Sequence, residues 1–251
     1  MKSLADFFAE VPKAALGFSG GVDSSFLLFA AKNLGAEVKP FYVKSAFQPQ
    51  FEFDDALKIS AQIGIVATVL PLDVLADTTI ATNPEDRCYF CKKKIFGIVA
   101  KAAREAGFTT IIDGTNASDN ATERPGMRAL EELSVRSPLR ECGLTKGDVR
   151  RLAREAGLPV WDKPAYSCLA TRIPATMPIT AEILQKIERA ENALFVLGFS
   201  NFRVRIFHNA ARLQFPTEQF DDACRRHKEI RNALAPLFPE IFLDLNPRQQ
   251  T

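Results

Sequence analysis

Seven consecutive residues, Ser19-Gly20-Gly21-Val22-Asp23-Ser24-Ser25, carry a chemical signal in their types and order. They follow a short apolar run at residues 14–18 and lead into a stretch of helical period at 24–34. Two glycines let backbone N–H groups close on an anion, serine hydroxyls add donors, and a helix start contributes partial positive charge. Asp23 can hold the magnesium that accompanies a polyphosphate. A Walker A loop would need a lysine before the hydroxyl residue and a dinucleotide fingerprint would need G-x-G-x-x-G, and neither is present. The loop reads as a phosphate cradle; the bland alternative is a generic strand-to-helix turn.

Sulfur is the second signal. The chain has five cysteines against two histidines, an odd and modest number that suggests thiol or metal chemistry rather than disulfides. Cys88 and Cys91 form one close pair, and Cys168 stands in a loop punctuated by Pro159, Pro164, Pro174 and Pro178. Half a zinc site is a competing reading of Cys-x-x-Cys, but zinc wants further ligands. Neither His208, in an expected hairpin turn, nor His227, expected on the inner face of a late helix, is well placed to supply one. Cys142 has no partner motif and reads as structural; Cys224, in register with Phe220, His227 and Ile230, reads as core packing. Arg172, four residues after Cys168, can stabilise a thiolate or bind substrate. Arg203 and Arg205 alternate with Phe202, Val204 and Ile206, so they share one strand face, and paired guanidiniums suit a phosphate. A solvated strand face is the alternative for that pair.

Elements of α/β type position these residues. Apolar runs at 14–18, 38–43, 65–70 and 109–113 alternate with helical patterns at 24–34, 51–63, 92–106 and 146–156, which is the signature of βαβ units on a parallel sheet. Thr145 followed by Asp148 resembles a capping box at the last of these helices. After the proline-rich loop, one amphipathic helix carries Ile183, Leu184, Ile187, Ala190, Leu194 and Leu197. Strands at 202–207, 212–215 and 241–245 with a helix at 218–234 complete a small C-terminal α+β module. Residues 1–165 are expected to form a Rossmann-like phosphate-loop domain and residues 166–251 a sulfur-transfer and substrate module.

Composition narrows the class. A net charge of +2 from 32 basic and 30 acidic residues gives no reason to expect a general nucleic-acid binder. Asp6, Glu10 and Lys13 interrupt any apolar leader at the start, and no apolar run approaches a membrane span of roughly 20 residues, so a cytoplasmic protein without membrane or nucleic-acid partners is expected.

The Ser19–Ser25 loop resembles that of the PP-loop ATP pyrophosphatases, which cleave ATP between the α and β phosphates, adenylate an oxygen, and let a nitrogen or sulfur nucleophile displace AMP. The resemblance implies that Ser19, Gly20, Gly21, Asp23, Ser24 and Ser25 cradle pyrophosphate and Mg2+, that residues 41–45 ending in Ser45 contact adenine and ribose, and that Gly114, Thr115 and Asn116 of Asp113-Gly114-Thr115-Asn116 form the far wall. Three further stretches, Arg87-Cys88-Tyr89-Phe90-Cys91-Lys92, Arg124-Pro125-Gly126-Met127-Arg128-Ala129 and the run from Trp161 through Cys168-Leu169-Ala170-Thr171-Arg172-Ile173-Pro174, are similar, with Arg203-Val204-Arg205, to the LarE family. These are sulfur transferases that build the nickel-pincer nucleotide cofactor, and the similarity spans nearly the whole chain.

That resemblance implies adenylation of a carboxylate on a pyridinium-3,5-dicarboxylate mononucleotide and its conversion to a thiocarboxylate. In one branch of the family the cysteine at the position of Cys168 gives up its own sulfur. In another, three cysteines hold a [4Fe–4S] cluster with an open iron that carries sulfide, and Cys88, Cys91 and Cys168 supply the ingredients for it. Arg203 and Arg205 fall to the substrate's phosphate. Glu191, or Asp222, falls to a metal, with a surface helix acid as the alternative. A homo-oligomer, with a hexamer as one form, is implied too. The chain departs from the family pattern at Ala175, where Gly is usual, and at Gln214, where Glu is usual. Thiolation of tRNA by a related enzyme and a nucleotide-holding regulatory domain are the rival readings.

Overall fold

The computed structural model describes residues 2–119 and 125–248, so Arg124 lies outside the described residues. In chain order the elements are α1 (Leu4–Glu10), β1 (Lys13–Gly17), α2 (Val22–Asn33), β2 (Glu37–Lys44), α3 (Gln50–Ile63), β3 (Thr68–Pro71), α4 (Thr78–Ala81), α5 (Arg87–Glu105), β4 (Ile111–Ile112), α6 (Pro125–Glu132), α7 (Pro138–Glu141), α8 (Lys146–Glu155), α9 (Ala181–Val196), β5 (Arg203–Phe207), β6 (Ala210–Gln214), α10 (Thr217–Arg225), α11 (His227–Leu234) and β7 (Ile241–Leu243). A 3-10 turn, Leu169–Arg172, precedes α9. The described residues pack as two units: Met1–Ser45, Gln50–Val74 and Asp86–Lys163 in the first, Ala46–Pro49, Leu75–Glu85 and Pro164–Thr251 in the second. The second unit therefore includes two short segments from the N-terminal half as well as the expected C-terminal stretch.

The first unit is α/β. Its sheet runs β3-β2-β1-β4 with every pair parallel, as the alternation of strands and helices requires. Period two splits β1 between two cores: Ala14 and Leu16 pack with Phe26, Leu27, Ile59 and Val149 on one face, Ala15 with Phe41, Val99 and Phe108 on the other. β4 is shorter than the apolar run at 109–113 because the Asp113 N–H turns to the Arg136 carbonyl, 2.9 Å away. β3 begins at Thr68 rather than 65. α8 starts at Lys146 under a true capping box, with Thr145 and Asp148 reciprocally bonded. α1 was not apparent from the pattern; Ser3 and Asp6 cap it and Phe7 and Phe8 bury its inner face. α5 starts five residues before the expected 92, so Cys88 and Cys91 are helical residues.

In the second unit β5 and β6 form an antiparallel hairpin and β7 joins β6 in parallel. The Asn83 side chain donates to the carbonyls of Pro174 (2.7 Å) and Met177 (3.0 Å), and the Leu169 N–H donates to Phe47 O at 2.9 Å. The two early segments thus hold both sides of the proline-rich loop that bears Cys168. The helix expected at 218–234 is broken at Arg226 (φ −94°, ψ 20°). Ala223, Ile230 and Leu234 face inward while Cys224 and His227 are exposed, which corrects their expected core positions. His208 sits in the hairpin turn with φ +54°. No described helix is long and apolar enough to cross a membrane.

Candidate functional site

The phosphate loop is built by steric necessity at two glycines. Gly20 has φ +74°, and a Cβ there would stand 2.5 Å from the Ala56 Cβ on α3. Gly114 has no such φ, but a Cβ would come within 2.9 Å of the Ser24 N–H nitrogen at the start of α2. These close approaches bring the end of β4 and the first turn of α2 together. For Gly20→Ala, the left-handed φ costs about 1–2 kcal/mol and overpacking against α3 about 1–3 kcal/mol. A drop in the urea midpoint of unfolding is the expected result.

Ser19, Gly21 and Ser24 then close the loop on itself. The Ser19 and Ser24 hydroxyls stand 3.1 Å apart, the Gly21 N–H donates to Ser19 Oγ (3.4 Å), and the Ser24 hydroxyl donates to the Gly21 carbonyl (3.3 Å). Gly21 caps α2 without a side chain, leaving its first N–H groups for an anion. The Ser25 hydroxyl is fully buried with no hydrogen-bond partner, an unspent polar atom in this turn. Ser45 is buried just past the C-terminal end of β2, the edge of the sheet at which the loop also lies. Asp113 accepts from the Thr115 N–H (3.1 Å), the Thr115 hydroxyl and the Ser137 hydroxyl (2.7 Å), so it shapes the far-wall segment. Asn116 reaches back to donate its amide to Asp23 Oδ1 at 3.1 Å.

Asp23 also accepts from Lys146 Nζ, a residue the sequence reading passed over. Lys146 is the first residue of α8, and its own N–H donates to Ser118 Oγ at 3.0 Å. An ammonium, a carboxylate and a carboxamide thus converge on the first turn of α2. That donor set fits a nucleotide's phosphates and cation: Lys146 can pair with a phosphate oxygen, and Asp23 would hold Mg2+ to neutralise phosphate charge.

The second constellation surrounds Cys168. Arg172 and Glu191 form a buried ion pair, 0% and 1% exposed, with Nε 2.8 Å from Oε1 and a second contact at 3.2 Å. Glu191 Oε1 also accepts from the Val204 N–H (3.0 Å), and Oε2 accepts from the Tyr166 hydroxyl. With both oxygens doubly engaged, Glu191 acts as the counter-ion of Arg172. Neither the metal role nor the surface-acid alternative fits it here. Its register on α9 places it one turn from Ile187 and three residues before Leu194, on the buried side. Burial opposes the charge on Arg172, but Glu191 more than offsets it, and the guanidinium stays firmly protonated.

Arg172 also donates to the Ser167 carbonyl and hydroxyl (both 2.9 Å), the Cys168 carbonyl (3.3 Å) and the Thr171 hydroxyl (2.8 Å). It holds the backbone that carries the thiol, so it is a positioning residue in this arrangement. Arg203, 4% exposed, donates to the carbonyls of Phe202 (2.7 Å) and Ala165 (2.8 Å), which overturns the solvated-face reading for it. Arg205, half-buried, donates to the Thr171 carbonyl (2.7 Å) and to the Gln214 side chain, at the position where the family pattern has Glu. The guanidiniums of Arg172 and Arg203 lie 4.5 and 5.0 Å from the centre of the Tyr166 ring.

Positive charge exceeds negative charge in this cluster. Arg203 is pushed down to about 10 by burial and then by the charges of Arg172 and Arg248. Burial followed by Arg172 likewise lowers Arg205 and Arg248, and Glu191 is the carboxylate that opposes the trend in all three. An anionic ligand would offset that repulsion, so the cluster suits a phosphate or carboxylate.

Cys88 and Cys91 lie three residues apart in the opening turns of α5, exposed and half-buried respectively, so Cys88 is no core residue. Arg87 NH2 lies 4.0 Å from Cys88 Sγ. The pair fits two thiolates of one centre, while among the described residues no group of three or more His, Cys, Asp or Glu side chains is assembled to hold a metal. Cys142 is buried and its thiol is pushed up by burial, as a structural cysteine requires. Asp222 pairs with Arg225 (3.2 Å) and Arg226 (3.4 Å).

No protein-family model matches the chain. It is 38% identical over 220 residues to an uncharacterized protein of Synechocystis sp., covering 87% of this chain and 82% of that one. It is 31% identical over 239 residues to the pyridinium-3,5-bisthiocarboxylic acid mononucleotide synthase of Lactiplantibacillus plantarum, covering 94% of this chain and 87% of that enzyme. A 27% identity over 199 residues links it to the glutamine-hydrolyzing GMP synthase of Aeropyrum pernix, 71% of this chain but 38% of the other.

Proposed function

The chain belongs to the LarE family of ATP-using enzymes, and on that premise we propose that it converts carboxylates of a pyridinium-3,5-dicarboxylate mononucleotide to thiocarboxylates. The observation that carries the reading is the Cys168 segment held inside an arginine cluster whose surplus positive charge suits a mononucleotide.

In the first step a substrate carboxylate oxygen attacks the α-phosphorus of ATP, and the bond to the β-phosphate oxygen breaks. Pyrophosphate leaves onto the N–H groups of the 19–25 loop and Lys146, and the acyl adenylate remains. Sulfur then attacks the acyl carbon and AMP departs. Cys168 is the sulfur-bearing residue, since a thiolate is a far better nucleophile than a hydroxyl at neutral pH. In the direct route its thiolate forms a thioester. A proton then leaves the Cys168 Cα, the Cβ–Sγ electron pair stays with sulfur, and thiocarboxylate and dehydroalanine result. The paired thiols of α5 favour a second route: Cys88, Cys91 and Cys168 would hold a [4Fe–4S] cluster, which would supply an open iron for an added sulfide.

Anaerobic reconstitution with iron and sulfide separates the routes. Retained iron that is lost in Cys88→Ala supports the cluster; no retained iron, with Cys168 lighter by one hydrogen sulfide after turnover, supports the direct route. Retained iron in neither, with an unaltered Cys168, contradicts both. Lys146→Ala is expected to weaken ATP binding about 10- to 100-fold, as loss of a charge-assisted bond worth about 1.5–3 kcal/mol implies. Calorimetric titration with a non-hydrolysable ATP analogue measures it, and unchanged affinity would remove Lys146 from the site.

A further inference from the structure

Arg205 is fixed by a chain of polar contacts that ends on a carboxylate. Alternation along β5 and its register with β6 put Arg203, Arg205, Arg212 and Gln214 on one face of the small sheet, with Arg212 directly opposite Arg205 and Gln214 opposite Arg203. The chain leaves β7 at Asp244, whose N–H donates to the Leu213 carbonyl at 2.9 Å, and this sets its side chain beside the end of β6. Gln214 reaches diagonally between them. Its Oε1 accepts from Arg205 Nε, and its Nε2 donates to Asp244 Oδ2 at 2.8 Å. A second contact, Arg205 Nη1 to the Thr171 carbonyl at 2.7 Å, sets the plane of the guanidinium.

The direction of this chain is forced at both ends. Arg205 Nε can only donate and an ionised carboxylate can only accept, so one orientation of the carboxamide between them satisfies both. Asp244 stays ionised: the Asn246 N–H (3.0 Å), then the amides of Gln214 and Asn246, then the charge of Arg212 hold its carboxyl below the usual carboxylate range. Arg212 contributes charge there and not a hydrogen bond, since its Nε lies 3.6 Å from Oδ2 and has no hydrogen-bond partner among the described residues.

The neutrality of the middle link matters as much as its direction. Burial and then the charges of Arg172, Arg212 and Arg248 weigh against the Arg205 cation. Gln214 gives its Nε an oxygen without giving the guanidinium a counter-charge, and Nη2 meets no acceptor among the described residues. Two neutral oxygens thus hold Arg205 in place with charge and donors left for an anion.

We infer that Gln214 and Asp244 are positioning residues for the substrate's phosphate: Asp244 fixes the Gln214 carboxamide, and the carboxamide aims the Arg205 guanidinium without neutralising it. The acid thereby assists anion binding, although by charge alone it would oppose it. That difference of sign separates positioning from plain electrostatics. The inference rests on the reading of Arg203 and Arg205 as the phosphate site, and its test needs neither ATP nor turnover.

The test is titration of the full-length protein with ribose 5-phosphate at constant ionic strength, read by phosphorus NMR, with hydrogen exchange on β5 to verify that each variant keeps the small sheet. Gln214→Glu is expected to weaken binding at least about tenfold, because its carboxylate pairs with Arg205 in place of the ligand. Unchanged affinity in that variant overturns the proposal. In Asp244→Asn the Asn246 N–H, which cannot turn away, claims the one remaining oxygen, so the new NH2 group faces Gln214 and reverses its carboxamide. Binding is expected to weaken about threefold or more, even though a negative charge has been removed. Made on top of Gln214→Met, which removes the carboxamide, the same Asp244→Asn change is expected to leave binding unchanged or tighter, since charge alone then remains. Unchanged or tighter binding in the single Asp244→Asn variant, or equal weakening in both backgrounds, overturns the proposal. Binding that is lost in Arg203→Ala without these effects at Gln214 and Asp244 would leave the phosphate reading standing and this inference refuted. No binding of ribose 5-phosphate by the unmodified protein would overturn both.

Discussion

Replacing Cys168 with serine is expected to lower thiocarboxylate formation on the order of a thousandfold or more, as removal of a nucleophile does in enzymes. Substrate-dependent release of pyrophosphate from ATP should survive in a first turnover. The two halves of the prediction follow from different constellations. In the proposed reaction adenylation uses the 19–25 loop, Asp23 and Lys146, whereas sulfur delivery needs Cys168 under either route, as the thiol that is given up or as a thiolate ligand of the cluster. Serine is also a mild structural change here. Cys168 is the residue before the 3-10 turn, with φ −56° and ψ 149°, a position where serine is a favoured cap. The Arg172 and Leu169 contacts use backbone atoms and persist. Quenched-flow assays of pyrophosphate and mass spectrometry of the nucleotide product measure the two halves separately. Undiminished thiocarboxylate in the serine variant would remove Cys168 from the chemistry.

The second large effect concerns stability. Glu191→Ala leaves Arg172 buried without its counter-ion and strips acceptors from the Tyr166 hydroxyl and the Val204 N–H. Breaking a buried pair in this way costs about 3–5 kcal/mol. A fall in the unfolding midpoint of the second unit, read by hydrogen exchange on β5, is the expected result. The double variant Arg172→Met with Glu191→Leu should recover most of that stability, because well-packed apolar residues often replace a buried pair at little cost. Its sulfur transfer should stay low, because the Ser167 and Cys168 carbonyls lose their donor. Recovery of both stability and activity would mean that Arg172 does not position the thiol. A metal role for Glu191 would instead predict that Glu191→Ala loses metal affinity with stability intact.

How much of this was readable from residues alone depended on distance along the chain. The phosphate loop is contiguous, and its glycines, hydroxyls and acid are a local requirement of strand, turn and helix start. Lys146 lies 123 positions from Asp23, and the capping box around it already accounts for its neighbours, so no local signal marks it. Glu191 was legible as a candidate acid on α9 but not as a buried one, and its partners were not legible, because Arg172, Tyr166 and Val204 reach it from other elements. Cys224 and His227 failed for a different reason. Cys224 lies one position past Ala223, the residue that faces inward, and His227 opens α11 directly after a break at Arg226 that the periodicity did not anticipate. Arg203 and Arg205 were correctly placed on one strand face, but the carbonyls they hold lie in an aperiodic loop that no pattern can bring to them.

The most direct measurement combines the protein with ATP, Mg2+ and pyridinium-3,5-dicarboxylate mononucleotide under anaerobic conditions, then weighs the nucleotide product and the protein by mass spectrometry. A product in which sulfur has replaced a carboxylate oxygen, formed with matching amounts of AMP and pyrophosphate, is the expected result. ATP cleavage that depends on the mononucleotide but yields no sulfur-bearing product, or no cleavage with that substrate at all, would contradict it.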